Sequence, residues 1–146
     1  MAEGLERFVV AQDTGGVYER ALAELRAGRK TSHWMWFVFP QLAGLGQSEM
    51  SRRFAIASLP EARAYLGHPV LGARLRECAA ALLGVQGRSA EEIMGAVDAI
   101  KLRSSMTLFA HAALEEPLFG QVLERFCGGL ADTATERLLG DRAGDS

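Results

Sequence analysis

Two stretches of the chain concentrate side chains able to do chemistry. The first reads Gly28-Arg29-Lys30-Thr31-Ser32-His33-Trp34-Met35-Trp36-Phe37-Val38-Phe39-Pro40-Gln41 and holds both tryptophans. Arg29, Lys30, Thr31, Ser32 and His33 are consecutive hydrogen-bond donors set against two indoles. Charged donors beside a flat apolar wall suit a phosphorylated or nucleotide-like ligand. In that reading Arg29 and Lys30 pair with phosphate, Trp34 and Trp36 wall the pocket, and Ser32 and His33 fix hydroxyl groups. His33 can also transfer a proton. The competing reading is packing: positions 34 to 39 are all apolar, which implies burial on every side and a segment threading the core.

The second stretch is helical in period. At about 100° per residue, Lys101, Ser104, Ser105, Thr107, Leu108 and His111 share one side, and Leu102, Met106, Phe109 and Ala110 share the other. A solvated helix face normally carries Glu, Lys and Arg, whereas this one carries small hydroxyls, one Lys and one His. Such a face either allows another helix to approach closely, with Ser and Thr bonding back to the i−4 carbonyl, or lines a ligand site. As a site, it offers Lys101 to a phosphate or carboxylate, supported by the Ser104 and Ser105 hydroxyls. Asp98 opens the helix, where it is expected to cap, and is the acid/base candidate of this face.

Other chemistries lack their residues. His33, His68 and His111 are far apart and no Cys/His cluster exists, so no metal site is expected, and no cofactor fingerprint is present. Gly44-Leu45-Gly46-Gln47-Ser48-Glu49 lacks the third glycine and the preceding strand of a dinucleotide loop, and reads as a loop leading to a Ser48 helix cap. Cys78 sits on an apolar seam and reads as an inert core thiol. Arg52-Arg53 and Arg74-x-Arg76 read as solvated helix charges. With sixteen Lys+Arg against eighteen Asp+Glu and a formal net charge of −2, nucleic-acid binding is not expected.

The elements that must position these residues are helices. A chain of 146 residues that is 49% hydrophobic and 23% charged fits one domain with a real core. The start Met1-Ala2-Glu3-Gly4-Leu5-Glu6 is acidic and carries no secretory pattern. Cysteine usage fits a reducing compartment, and no apolar run is long enough for a bilayer, so a cytoplasmic protein without a membrane partner is expected. Apolar periodicity, with Ser58-x-x-Glu61, Ser89-x-x-Glu92 and Thr133-x-x-Glu136 as capping boxes, predicts helices over 3–13, 17–28, 48–57, 59–67, 69–86, 89–95, 98–115, 117–127 and 132–139. Nothing alternates with period two. The expected fold is all-α, a compact orthogonal bundle of about seven or eight helices with one central buried helix, either 69–86 or 98–115.

The residues also resemble a bacterial family of unknown function, the domain family eighteen-ten, members of which are often labelled calpastatin. The likeness rests on Arg7-Phe8-x-x-Ala11-Gln12, Tyr18-x-x-Ala21-Leu22-x-Glu24-Leu25, Gly28-Arg29-Lys30-x-Ser32-His33-Trp34-Met35-Trp36-Phe37-x-Phe39-Pro40-Gln41-Leu42, Tyr65-Leu66-x-His68-Pro69 and Lys101-Leu102-x-Ser104-Ser105-Met106-Thr107-Leu108-Phe109. It spans about residues 5 to 139. It implies a fold in which one helix is surrounded by the others. It does not imply calpain inhibition, because that inhibitor is a long disordered polypeptide. Phe54 stands where family members often carry Tyr, and Thr14-Gly15-Gly16 lengthens the first turn. A fainter similarity, Lys101-x-x-x-x-Met106 followed by an aromatic helix around Phe126, is to the helical family that removes ADP-ribose from its adducts. Together these point to an ADP-ribose-like ligand whose N-glycosidic bond is hydrolysed, with Asp98 or His33 in proton transfer. The alternative is a non-enzymatic helical interaction module, which follows if the two stretches share no site.

Overall fold

The computed structural model of the chain describes residues 4–144, with side chains to 141. The chain forms α1 (Glu6–Asp13), a 3-10 turn (Thr14–Gly16), α2 (Val17–Ala27), α3 (Met35–Val38), α4 (Glu49–Arg53) and α5 (Leu59–Gly67). It continues through α6 (Leu71–Leu83), α7 (Ala90–Met94), α8 (Ala96–Ala112), α9 (Leu118–Cys127) and α10 (Thr133–Gly144). The expected first-helix start at residue 3 lies outside the described residues. Among the described residues there is no strand, only an isolated bridge between Leu42 and Ile56. That bridge explains why α4 stops at Arg53 rather than 57: the Ile56 amide donates to Gln41 O and its carbonyl accepts from Ala43 N, both at 2.8 Å. A helix and a cross-chain bridge cannot use the same backbone groups.

The central helix is α8, packed against α5, α7, α9 and α10. It is not amphipathic as its spacing suggested: Ser104, Ser105, Met106, Thr107, Leu108 and Phe109 are all buried. That stretch of α8 is covered on all sides, as an envelope of neighbours produces, whereas its first turns are not, Val97 and Ile100 being exposed; small hydroxyl residues permit the neighbours to come close. One line of aromatic rings runs through the layers. Phe54 meets Phe8 of α1, Phe8 meets Tyr65 of α5 at 5.2 Å, Tyr65 meets Phe109 of α8 at 5.4 Å, and Phe109 meets Phe119 of α9 at 5.9 Å. Tilted and edge contacts of this kind add about 0.5–1.5 kcal/mol each beyond the burial of the rings.

Helix ends follow the caps, with two corrections. Ser48, Ser58 and Ser89 accept from the backbone amides of Ser51, Glu61 and Glu92, and Ser89–Glu92 closes a full capping box. His68 Nδ1 accepts from Val70 N and Leu71 N at the start of α6. At α10 the cap is Asp132, which accepts from Thr135 N at 3.0 Å, and not Thr133. At α8 the cap position is Gly95, at φ +88°, and Asp98 makes no capping bond. Arg74 and Arg76, expected as solvated charges, are both engaged. Arg74 pairs with Asp13 at 2.8 Å, and Arg76 makes a two-pronged pair with Glu116 and reaches Leu66 O. The α5–α6 turn is close enough that a Cβ on Gly72 would lie 2.0 Å from Leu66 O.

Candidate functional site

The loop between α2 and α3 is built around one carboxylate. Glu24 accepts from the amide and hydroxyl of Thr31 (2.9 and 3.0 Å), the amide and hydroxyl of Ser32 (3.2 and 2.6 Å), and Trp34 Nε1 (2.9 Å). Burial works against the ionised form. The hydrogen bonds from Ser32, Trp34 and Thr31 outweigh it and bring the Glu24 carboxyl from 4.5 down to about 2. The sequence reading passed over Glu24 except as a motif position. Its signal was present: a carboxylate in the last turn of a helix opposes the helix dipole, so it requires compensating donors. Those donors are the hydroxyls assigned to a ligand. The Ser32 and Thr31 hydroxyls are therefore turned onto Glu24, Ser32 partly buried and Thr31 at the surface.

Lys30 is tied down at both ends. Its amide donates to Ile93 O at 2.7 Å, which ties the loop to α7. Its ammonium donates to Ser32 O at 2.6 Å, lies 4.9 Å from the Trp34 ring centre, and pairs with Asp98 Oδ2 at 2.8 Å. The other carboxylate oxygen, Asp98 Oδ1, lies 3.5 Å from Lys101 Nζ. Lys101 in turn sits 5.1 Å from the ring centre of Trp36. Two lysines from distant parts of the chain thus converge on one carboxylate, each over an indole. The cluster carries a surplus of one positive charge. It is graded in depth, the Lys30 side chain being 7% exposed, Asp98 18% and Lys101 20%.

The expected site residues separate into groups. Lys30, Trp34, Trp36, Asp98 and Lys101 are brought together. Trp34 is 0% exposed, so it supports the cluster from inside and cannot wall an open pocket. Trp36 is only partly buried, the one exception to the all-round burial expected of positions 34 to 39, because α3 is a single turn whose other side chains pack inward. Arg29 and His33 are exposed on the same loop. Ser104 is buried and its hydroxyl bonds back to Ile100 O at 3.2 Å, as in the packing reading. Ser105 is 0% exposed and its hydroxyl has no hydrogen-bond partner among the described residues. With Asp98 and Lys101 it falls on one stripe of α8, at spacings of three and four residues. His111, on the expected hydroxyl face, pairs with Glu136 of α10 at 3.0 Å.

The thiols are unsuited to nucleophilic work. Burial, partly offset by the Tyr18 hydroxyl, pushes Cys78 up to about 12, and burial also raises Cys127. Among the described residues no cluster of His, Cys, Asp and Glu could hold a metal ion, and no helix is long and apolar enough to cross a membrane.

No curated protein matches the chain. Among solved structures it is similar to the conserved hypothetical protein Rv1873 from Mycobacterium tuberculosis, known from a crystal structure. The two are 52% identical, with a TM-score of 0.91 over 96% of this chain and 99% of that one. The profile of the family described as protein of unknown function DUF1810 matches residues 2–139, nearly the whole chain. The loop and the helix face that build the Lys30–Asp98–Lys101 cluster lie within the matched residues, and this chain belongs to the DUF1810 family.

Proposed function

We propose that the chain binds a small phosphorylated ligand with a flat ring, of the nucleotide or ADP-ribose class, at Lys101 and Trp36. The observation that carries this reading is the asymmetry of the two ion pairs on Asp98. Lys30 is close, at 2.8 Å, and nearly buried; Lys101 is loose, at 3.5 Å, and reaches solvent beside a half-buried indole. Lys30 neutralises Asp98, which leaves Lys101 as the cation able to turn toward an incoming phosphate. Trp36 then offers a surface on which a base or sugar stacks. Arg29 and His33 are exposed on the neighbouring loop, and the fully buried Ser105 hydroxyl can be linked to a ligand only through an ordered water. The reading stops at binding: Asp98 is the common partner of two ammonium groups, and its part in the proposal is to hold them.

The test is thermal unfolding with ADP-ribose, NAD, AMP and inorganic phosphate at millimolar concentration, for the wild type and for Lys101→Ala and Trp36→Phe. A ligand that binds only the native state raises the melting temperature, by an amount equivalent to about 2.7 kcal/mol at a hundred times its Kd. A shift in the wild type that is lost in Lys101→Ala supports the proposal. No shift with any of the four, or a shift that survives in both variants, overturns it.

A further inference from the structure

A phosphate that reaches Lys101 meets a cation with a carboxylate already beside it. Asp98 Oδ1 lies 3.5 Å from Lys101 Nζ, and Oδ2 lies 2.8 Å from Lys30 Nζ. The three side chains together carry one positive charge in excess, and none is more than 20% exposed. Lys30 brings no further charge to a ligand, because its ammonium also donates to Ser32 O at 2.6 Å and is nearly buried. Glu24, the other carboxylate of the loop, is bound by Thr31, Ser32 and Trp34 and adds no positive charge either. Arg29 and His33 stand exposed on the same loop, where water and salt screen them.

We propose that Asp98 sets the charge of the phosphate this site accepts, admitting a phosphodiester and discriminating against a phosphomonoester dianion. The inference rests on the ligand reading of Lys101 and Trp36. A phosphodiester carries one negative charge, which the one excess positive charge of the cluster neutralises. A monoester near neutral pH carries about −1.5 to −2, its second pKa being about 6. Its second charge meets no cation and lies against the Asp98 carboxylate in a partly dried site, where like charges repel far more than in water. A carboxylate kept at a phosphate site thus penalises the wrong ligand more than the right one, and that difference is specificity. The accepted class includes the inner phosphates of a pyrophosphate substituted at both ends, each of which carries a single charge.

Calorimetric titration with AMP and with its methyl ester, the matching phosphodiester, tests this at pH of about 7.5 and about 5.5. The two compounds share base and ribose and differ in one ionisable oxygen. At the higher pH the methyl ester is expected to bind at least about tenfold tighter than AMP. At the lower pH most AMP is the monoanion, so if that form alone binds, its affinity rises about 25-fold and the gap closes. The methyl ester keeps its charge throughout, so its own change reports the protein's titrating groups, His33 included, and the ratio of the two affinities isolates the ligand's charge. Asp98→Asn raises the excess to two charges and is expected to abolish the preference at the higher pH. Should that variant be too unstable to titrate, the wild-type ratio at the two pH values still decides. AMP binding as tightly as its methyl ester at the higher pH, or a preference that Asp98→Asn leaves intact, overturns the proposal while the ligand reading stands. No binding of either compound at either pH counts against the ligand reading itself and takes this inference with it.

Discussion

The indole Nε1 of Trp34 donates to Oε1 of Glu24 at 2.9 Å, and the ring it belongs to is fully buried. Glu24 therefore holds the loop that presents Lys30. Removing it leaves a buried indole donor and the Thr31 and Ser32 donors without their acceptor, and an unsatisfied buried donor costs about 1–3 kcal/mol. Glu24→Ala is expected to lower stability by about 2–3 kcal/mol in denaturant unfolding. Glu24→Gln keeps the Trp34 bond through its amide oxygen but cannot accept from both hydroxyls, and is expected to cost about half as much. Equal losses in the two variants would show that the hydroxyl bonds are unimportant.

The same carboxylate makes an acid-pH prediction with a definite sign. Its folded value, about 2, lies below its ordinary 4.5, so between these values the unfolded chain binds more protons than the folded one. The Glu24 contribution is then fully present above pH 4.5 and is lost as the pH falls toward 2. The stability difference between wild type and Glu24→Gln should accordingly shrink as the pH is lowered from about 7 to about 3. A difference that stays constant over that range would mean that Glu24 is not held ionised by its donors.

The two lysines on Asp98 should separate cleanly. Lys30 is nearly buried, so Asp98→Ala leaves an uncompensated cation in the interior and is expected to cost about 3 kcal/mol. Lys101 is more exposed and its pair is longer, so Lys101→Ala should cost under about 1 kcal/mol. Both values come from chemical denaturation without ligand. A Lys101→Ala variant as unstable as Asp98→Ala would make Lys101 a structural residue and leave no cation free for a ligand.

The helices were readable because their signals are local. Ser58 and Ser89 declare their caps within a few residues, and the seam Leu71, Leu75, Cys78, Leu82 is buried along its length. The burial of α8 on all sides between Ser104 and Phe109 was not readable in the same way, because Ser104 and Thr107 look like a polar face until α5, α7, α9 and α10 are placed around the helix. The site was half readable. Lys30, Trp36, Asp98 and Lys101 were identifiable by type, but nothing local says that Ser32 turns to Glu24 and not to a ligand, or that Asp98 meets two lysines and does not cap its helix. Only Lys30 and Asp98 are far apart in sequence; the other two contacts are local, but which partner each group takes is a choice that the packed fold decides.

Ser105 offers the sharpest joint test of packing and function. Its hydroxyl is fully buried and has no partner among the described residues, a state that costs about 1–3 kcal/mol relative to an apolar group of the same shape. Ser105→Ala should therefore be as stable as the wild type or more stable, by up to about 2 kcal/mol. Thr107, two residues on, predicts the opposite. Its hydroxyl donates to Arg103 O at 2.8 Å and accepts from Asp132 N at 2.9 Å, so Thr107→Ala strips an acceptor from the cap region of α10 and should lose about 1–2 kcal/mol. If Ser105 is retained for a ligand, Ser105→Ala will gain stability alone yet show a smaller melting shift with ADP-ribose than the wild type does. Such a trade is the mark of a residue kept for binding at the expense of the fold. A destabilised Ser105→Ala would mean instead that the hydroxyl has a partner in solution, an ordered water being the simplest, and its place beneath Lys101 would then be explained by packing alone.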